Sequence, residues 1–154
     1  MNQPTLPFEG DGDDRPDEIV IYCDGGSRGN PGPAAIGAVV LDPSTSPPTR
    51  IATVSRTIGV TTNNVAEYRA CIAGLEAAAP LRARRVRVRA DSDLVIRQLR
   101  GEYRVKQDHL KPLHAQAKRL LQHYDEVDLQ HVRREQNVDA DALVNAALDA
   151  AAAP

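Results

Sequence analysis

The sequence predicts an α/β fold: a five-stranded mixed sheet, made of a three-stranded antiparallel meander and two parallel strands, flanked by helices in the order βββαβααβα. Three observations support this prediction. The first part of the chain holds three strand-like segments joined by turn-rich loops. Apolar residues then recur at helical spacing from Asn64. Beyond residue 84, strand-like and helical segments alternate, as in a sheet that is extended by parallel strands.

The first three strands are separated by short connections, which implies that neighbours run antiparallel. EIVIYCD (18–24) and AAIGAVVLD (34–42) have the apolar character of buried strands, and RIATVSRTIG (50–59) is the third. The glycines before Pro31 predict a hairpin connection that turns the chain away from Asp24. The Pro- and Ser-rich stretch DPSTSPPT predicts the second turn.

The later elements follow from changes in periodicity. VAEYRACIAGLEAAAPL predicts a long helix that stops near Pro80. RVRVRAD alternates Arg with Val, which indicates a strand with one solvent-facing side. The remaining segments predict a short helix ended by Gly101, a longer helix, a last strand and a closing helix, namely DLVIRQLRG, HLKPLHAQAKRLLQHY, VDLQHV and DADALVNAALDAAAA.

Length and composition predict one domain with an aliphatic core. The chain has 154 residues and no Trp, so Val, Leu, Ile and Ala must fill the interior. Residues 1–17 are polar and acidic, which predicts a disordered tail, followed by a domain over 18–150 and a tail or linker start at 151–154. Cys23 and Cys71 lack metal-site or C-x-x-C spacing and are expected to be reduced core residues of a cytoplasmic protein. No apolar run predicts a membrane span, and the acidic N-terminus is unlike a signal peptide.

The net charge of −2 hides an uneven distribution. Residues 1–18 carry six acids against one Arg, whereas residues 82–119 carry twelve Lys or Arg against four acids. A basic band of this kind is typical of a domain that binds a polyanion such as nucleic acid, although it is also compatible with an ordinary solvated surface.

Four acidic residues occupy similar places in the predicted elements. Asp24 closes the first strand and Asp91 the fourth, and the carboxyl ends of parallel neighbours meet at one edge of a sheet. Glu67 and Asp141 lie in the first turns of helices that can pack at the same corner. Clustered carboxylates repel one another unless a cation neutralises them, and oxygen ligands without His or Cys favour Mg²⁺ or Mn²⁺. Two such ions can drive phosphodiester hydrolysis, so the pattern indicates a metal-dependent site.

Each acid also has a structural alternative. Asn64 and Glu67 fit a helix capping box, Asp91 could cap the following helix, and Asp141 could interact with a helix dipole. Asp24 is the hardest to explain in this way, because an acid directly after buried strand residues needs a partner. The glycines after Asp24 do not form a phosphate-binding P-loop, which requires G-x-x-x-x-G-K-[ST] before a helix.

Four stretches, in order and spacing, resemble type 1 ribonuclease H: CDGGSRGNPGPAAIG, TTNNVAEYRA, ADSDLVIRQLRG and NVDADALVNAAL. The resemblance covers roughly residues 18–150 and implies a ribonuclease H-like fold. It implies hydrolysis of the RNA strand of an RNA–DNA hybrid with two Mg²⁺ ions, for which Mn²⁺ substitutes, leaving 5′-phosphate and 3′-hydroxyl ends. The alternative is a hybrid-binding module without catalysis. A different nuclease or strand-transfer enzyme on the same fold is less consistent with TTNNVAEY.

The resemblance also assigns residues. Asp24, Glu67, Asp91 and Asp141 match the four metal-binding acids. The positions that match substrate-binding ones are Gly25, Asn30, Thr62, Asn63 and Asn64, of which Asn30, Thr62 and Asn63 correspond to contacts with DNA phosphates and Asn64 to a position near the RNA strand.

Two departures from the family pattern concern basic residues. The chain lacks the long basic protrusion that some members use to hold hybrid, as in short bacterial and archaeal forms, and Lys106 could compensate in part. Many members also carry a mobile His before the last helix. Here His131 falls on the strand pattern, so Arg133 or Arg134 is expected to serve product release instead.

The N-terminal tail contains a separate motif. QPTLPF at residues 3–8 fits Q-x-x-L-x-F, the pattern of peptides that dock on bacterial sliding clamps. In such a complex Leu6 and Phe8 would fill an apolar pocket and Gln3 would bond at its rim. The alternative is a Pro-rich terminus without a partner. We otherwise expect a monomer.

Overall fold

A computed structural model of the chain describes residues 15–153. The tail peptide with Gln3, Leu6 and Phe8 lies outside these residues, so clamp binding stays a prediction. Within the described part, no helix combines the length and the apolarity that crossing a bilayer requires.

The element order agrees with the prediction βββαβααβα. The strands are β1 (Glu18–Ser27), β2 (Gly32–Asp42), β3 (Thr49–Thr61), β4 (Arg85–Ala90) and β5 (Glu126–His131). The helices are α1 (Asn63–Ala78), α2 (Asp93–Leu99), α3 (Lys111–Leu121) and α4 (Val138–Ala152). Short 3₁₀ helices lie at Ala79–Leu81, Asp108–Leu110 and Arg134–Gln136. His131 ends β5, which confirms that it belongs to the strand.

The five strands form one mixed sheet in the order β3-β2-β1-β4-β5. The pairs β1–β2 and β2–β3 are antiparallel, whereas β4 runs parallel to both β1 and β5. The predicted meander with two added parallel strands is therefore confirmed. Its consequence is that β1 lies at the centre, with β2 on one side and β4 on the other.

Helices cover the sheet on both faces. On one face, alternate β1 residues Ile19, Ile21 and Cys23 are buried in the main core together with residues of α1 and α3. On the other face, α4 buries Val144 and Leu148 against Ala35 of β2. Because β2 is covered on both sides, it is an almost continuous run of small and branched apolar residues.

The first strand is longer than the sequence indicated. Gly25 and Gly26 do not turn the chain but continue β1 in register with β2 as far as Ser27. The reversal comes only after Ser27, where Gly29 has a φ of +95°, a conformation that few other residues adopt. The predicted strand end at Asp24 is therefore wrong by three residues. Glycine can continue the strand here because it has no side chain, and α1 leaves no room for one at Gly25.

Ordered contacts extend slightly beyond residues 18–150 at both ends. Asp17, assigned to a disordered tail, accepts hydrogen bonds at its carboxylate from Arg84 at 2.9 Å and Arg85 at 2.6 Å. Its carbonyl oxygen also accepts from both backbone nitrogens. At the other end, α4 continues to Ala152, two residues past the predicted domain.

Much of the basic band is paired with acids inside the domain. The pairs are Arg84 and Arg85 with Asp17, Arg87 with Glu18, Arg89 with Asp128, and Arg97 with Asp93 and Glu102. Such partly exposed pairs contribute little stability, but they cancel charge. Over residues 15–153, Arg104 and Lys106 form no ion pair. Fewer basic side chains are therefore available to bind a polyanion than the sequence suggested.

Candidate functional site

Asp24, Glu67, Asp91 and Asp141 line a single cavity of about 320 Å³. They come from four separate elements: β1, α1, the residue directly after β4, and the first turn of α4. Glu67 lies two residues farther into its helix than expected, since α1 begins at Asn63 and not at Val65. The structure thus brings together the four acids chosen from sequence, while their role as metal ligands stays a prediction.

Glu67 reaches this cavity because α1 lies directly on β1. A Cβ atom added at Gly25 would stand 2.1 Å from the carbonyl oxygen of Ala66 and 2.7 Å from the backbone nitrogen of Glu67. No side chain larger than hydrogen fits between the strand and the helix at this point. Gly25, predicted to bind substrate, therefore has a packing role that sets the position of Glu67.

A second glycine does the same for Asp141 on the opposite face. Gly37 of β2 pairs with Asp24, and a Cβ atom there would lie 2.4 Å from the carbonyl oxygen of Ala140. The first turn of α4 therefore packs against the backbone of β2 beside Asp24. Sequence reasoning did not single out Gly37, because a glycine within an apolar strand gives no sign of what packs on it.

The surroundings of Asp24 strongly raise its pKa. Burial is the largest cause, and it acts together with the charges of Asp91 and Asp141 and hydrogen bonds to both to raise the pKa of Asp24 to about 8. A protonated Asp24 relieves the repulsion at neutral pH, and a bound cation would also relieve it. The cavity therefore favours either a proton or a cation beside Asp24.

Glu67 has a raised pKa as well, chiefly because of burial, but a hydrogen bond from Ser92 opposes the shift. The same Ser92 hydroxyl accepts from the backbone nitrogen of Val95 at 3.2 Å and so caps α2. Ser92 thus joins a helix cap to a site carboxylate, a role that the sequence analysis missed. It also removes the alternative in which Asp91 caps α2.

The N-cap of α1 excludes the alternative in which Asn64 and Glu67 form a capping box. The hydroxyl of Thr62 accepts from the backbone nitrogen of Val65 at 3.3 Å, so Thr62 is the N-cap. Asn64 already lies within the helix, and Glu67 is too far along it to complete a capping box. Glu67 is therefore free of a local structural role at the start of α1.

Asn137, at the start of α4, ties this helix to the strand that carries Asp24. Its side chain is 1% exposed, and its Nδ2 donates to the carbonyl oxygen of Cys23 at 3.0 Å. Its backbone oxygen accepts from the nitrogen of Asp141 at 3.1 Å. Asn137 therefore connects the backbone beside one site acid to that of another, a link between distant positions with no signal in the local sequence.

We expect Asn137→Ala to lower the free energy of unfolding by about 1–3 kcal/mol, because the Cys23 carbonyl loses a buried hydrogen bond. Urea denaturation followed by circular dichroism measures this loss. Gln136→Ala is the matched control, since Gln136 makes an exposed bond to the nitrogen of Arg133 that water can replace. Equal stability losses in the two variants would contradict a specific role for Asn137.

Asn30, Thr62 and Asn63 form a polar group next to the acids. Asn30 Oδ1 accepts from the backbone nitrogen of Asn63 at 3.1 Å, and Asn63 Oδ1 accepts from the backbone nitrogen and hydroxyl of Ser27 at 2.9 and 3.1 Å. Both side-chain oxygens are thus used within the protein, which leaves the amide NH₂ groups as donors suited to phosphate. The structure brings together the three residues that were predicted to contact DNA phosphates.

Asn64 and Lys106 line a different cavity of about 470 Å³. Gln98, Tyr103 and Arg104 also line it. Two of the predicted substrate-binding residues thus share a recess with the basic side chain of Arg104 and an exposed aromatic ring. The four acids line a separate cavity. Tyr103 was not predicted, although a lone Tyr in a basic segment is a usable signal for base stacking.

The two Arg residues predicted to serve product release are placed differently. Arg134 lines the four-acid cavity, with its Nε 4.0 Å from Asp91 Oδ2. Its side chain is 82% exposed, compared with 14% for Asp91. Arg133 does not line this cavity and is the N-cap residue of the short 3₁₀ helix before α4. Of the two residues, Arg134 is the better situated for the predicted role.

The chemistry of the donor set fits a hard divalent cation. The acids of the cavity offer only carboxylate oxygens, which suit Mg²⁺ or Mn²⁺. Within residues 15–153, however, no three His, Cys, Asp or Glu side chains are already gathered closely enough to hold an ion. A cation would have to draw the carboxylates together, with water completing its shell, as is usual for Mg²⁺.

Comparisons with known sequences point to one family. Residues 22–147 match the family model described as reverse transcriptase-like. The bifunctional protein Rv2228c of Mycobacterium tuberculosis is 47% identical over 135 residues, which cover 88% of this chain and 36% of that protein. Ribonuclease HI of Halobacterium salinarum is 44% identical over 136 residues, covering 88% of this chain and 67% of that protein. The chain thus spans little more than a third of its mycobacterial relative.

Solved structures give the same result. The N-terminal RNase H domain of Rv2228c superposes with a TM-score of 0.82 at 45% identity, covering 86% of this chain and 99% of that one. RNase H1 of Halobacterium salinarum superposes with a TM-score of 0.81 at 43% identity, covering 86% of this chain and 98% of that one. LC11-RNase H1, solved in complex with an RNA/DNA hybrid, superposes with a TM-score of 0.80 at 41% identity, covering 88% of this chain and 99% of that one. Sequence motifs, sheet order and these similarities agree: the chain belongs to the type 1 ribonuclease H family.

Proposed function

We propose that this protein is an endoribonuclease that hydrolyses the RNA strand of RNA–DNA hybrids. The observation that carries the proposal is the single cavity lined by Asp24, Glu67, Asp91 and Asp141, in which the pKa of Asp24 is raised to about 8. Perturbed carboxyl groups in a cleft are typical of catalytic sites. The similarity to a ribonuclease that has been solved with a hybrid supports the choice of substrate.

The four carboxylates would hold two Mg²⁺ ions, or Mn²⁺ in their place. When bound, such ions activate a water molecule and stabilise the departing oxygen in phosphodiester hydrolysis. The 3′ oxygen is the leaving group, so the products carry 5′-phosphate and 3′-hydroxyl ends. Among the protein groups, Ser92 favours the ionised form of Glu67, and Arg134 can attract the new phosphate away from Asp91.

Selection of a hybrid requires that the two strands be told apart. The NH₂ groups of Asn30 and Asn63, with Thr62, bind phosphates of the DNA strand, whereas Asn64 lies toward the RNA strand. Glu67 also contacts a 2′-hydroxyl, the group that distinguishes RNA from DNA. Arg104 and Lys106, which form no ion pair within residues 15–153, add positive charge for the nucleic acid backbone.

Gln98 positions the segment that carries these basic residues. Its side chain is 4% exposed, accepts a hydrogen bond from the Tyr68 hydroxyl and donates to the carbonyl oxygen of Arg104 at 3.4 Å. We expect Gln98→Leu to raise KM for hybrid about tenfold with little change in kcat, because the segment loses its anchor while the acids stay in place. Steady-state kinetics measure this, with the exposed Gln122→Leu as control. A fall in kcat with KM unchanged would contradict the positioning role.

Cleavage of end-labelled duplexes resolved on a gel tests the proposed function. RNA–DNA hybrid, double-stranded RNA and double-stranded DNA are each incubated with Mg²⁺, with Mn²⁺ and with EDTA. We expect cleavage of the RNA strand in the hybrid only, and none in EDTA. Sensitivity of the products to an exonuclease that requires a 5′-phosphate checks the end chemistry.

Two variants make this assay specific. Asp91→Asn removes a site acid, whereas Asp93→Asn, two residues on, removes an exposed acid that pairs with Arg97 at 3.0 Å. Cleavage should be lost in the first and kept in the second. Tight hybrid binding without cleavage in either metal would instead identify a non-catalytic hybrid-binding module.

Three further expectations from the sequence belong to this proposal. We expect a monomeric protein that acts in the cytoplasm, and a tail at residues 3–8 that docks on a sliding clamp. A peptide covering residues 1–12 that failed to bind a purified clamp at high micromolar concentration would remove the last of these.

A further inference from the structure

Cys23 and Cys71 place their sulfur atoms 2.9 Å apart in the core, although the residues are 48 positions apart in sequence. Both are buried and neither is in a disulfide. The site described above uses neither thiol. The distance is shorter than an ordinary nonbonded contact between two sulfurs, which distinguishes this pair from two cysteines that merely share a core.

The two residues belong to the elements that carry two of the site acids. Cys23 directly precedes Asp24 on β1, and Cys71 follows Glu67 by four residues, one turn along the same face of α1. A covalent bond between them would join strand and helix beside the four-acid cavity. This bond would therefore strengthen the contact between β1, which carries Asp24, and α1, which carries Glu67.

We propose that Cys23 and Cys71 form a reversible intramolecular disulfide that links β1 to α1. A disulfide bond is about 2.05 Å long, so the sulfurs must approach by about 0.9 Å from their present 2.9 Å. The backbones cannot supply this movement, because β1 and α1 already touch at Gly25 and Ala66. The approach is therefore made by rotation of the two side chains, and the neighbouring carboxylates keep their positions.

The oxidation is balanced by a small disulfide such as oxidised glutathione. The two thiols lose two protons and two electrons as the bond between them forms, and oxidised glutathione takes them up to become two glutathione thiols. The exchange passes through a mixed disulfide with one cysteine. Because both thiols are buried, attack occurs from a locally opened state, which limits the rate of the reaction but not its equilibrium.

The disulfide should form more favourably in the folded protein than in the unfolded chain. In the unfolded state the two cysteines meet only by closing a long loop, whereas the folded core already holds their sulfurs in contact. By linkage, the factor by which folding favours the bond equals the factor by which the bond favours folding. The inference is independent of the proposed hydrolysis, because it concerns only the two thiols and the fold.

The test measures the equilibrium between dithiol and disulfide in glutathione buffers of graded redox ratio. Reduced protein is unfolded and refolded in each buffer, then quenched with acid and analysed by mass spectrometry for the loss of two hydrogen atoms. The same titration is performed in concentrated urea. We expect the equilibrium constant for the disulfide to be at least about tenfold larger in the folded protein. An equal or smaller constant in the folded protein, or only mixed disulfides with glutathione, would overturn the proposal.

Cys71→Ala controls for intermolecular and glutathione adducts, since it leaves Cys23 without a partner. The purified disulfide form should unfold at a higher urea concentration than the reduced form, and dithiothreitol should abolish the difference. Oxidation of Cys71→Ala should produce no such shift. A disulfide form less stable than the reduced form would show that the bond strains the core and would contradict closure by side-chain rotation alone.

Discussion

Replacing Asp24 by Asn is expected to abolish hybrid cleavage while stabilising the metal-free protein above neutral pH. The loss of a carboxylate at the centre of the cavity should lower kcat about a thousandfold or more, since metal-assisted charge stabilisation contributes several kcal/mol. The gain in stability has a separate cause. Asp24 is half-buried between Asp91 and Asp141, and Asn keeps its shape without its charge.

The pH dependence gives this prediction its sign. The pKa of Asp24 is about 8 in the folded protein and near its usual value of 3.8 in the unfolded chain. Between these values the folded state holds a proton that the unfolded state has released, so stability falls as pH rises through this window. The loss is on the order of a few kcal/mol and is complete above about pH 8. The Asn variant lacks this loss, so its advantage should be absent near pH 4 and largest above pH 8.

Urea denaturation in EDTA at several pH values measures the difference, and titration with Mg²⁺ at pH 8 extends it. Wild type should gain stability from the cation, whereas the Asn variant should gain much less. Asp139→Asn is the control, because Asp139 lies in the same turn of α4 as Asp141 but is exposed and pairs with Arg50 at 3.1 Å. If Asp24→Asn were no more stable than wild type at pH 8.5, the proposed repulsion within the cavity would be wrong.

Replacing Gly25 by Ala is expected to damage both the fold and the site. The new methyl group would lie 2.1 Å from the Ala66 carbonyl oxygen, and this backbone atom cannot move unless α1 shifts. Overpacking of this kind costs about 3 kcal/mol when the obstacle is main chain. Since Glu67 follows Ala66, a shift of about 1 Å would also misplace a site carboxylate and could reduce kcat about a hundredfold.

Gly26→Ala is the matched control one residue along the same strand. A Cβ atom there finds its nearest neighbour, Asn63 Oδ1, at 4.0 Å, which is an ordinary contact. We expect the free energy of unfolding of this variant to lie within about 1 kcal/mol of the wild-type value, as is usual for a substitution that causes no steric clash. Urea midpoints and cleavage rates of the two variants decide the question. Equal effects at Gly25 and Gly26 would mean that strand propensity matters here and close helix packing does not.

The sequence was sufficient for the topology because each element carries its own local signal. Alternating Arg and Val identify β4, helical spacing after Asn64 identifies α1, and short loops imply the meander. It also selected four acids that the structure brings to one cavity, because their places at element ends coincide and the motifs around them resemble one family. The end of the first strand was less well predicted, as Gly25 shows, because the limits of an element depend on its neighbours.

Only the tertiary structure decided how the acids meet and what surrounds them. Gly25 and Gly37 let helices touch opposite faces of the sheet, Asn137 ties α4 to β1, and Cys23 meets Cys71 across the core. Pairing with acids also cancels much of a basic band that looked free in the sequence. These features are contacts between residues far apart in the chain. Local periodicity reports which side of an element is buried, but not which atom of another element will lie against it.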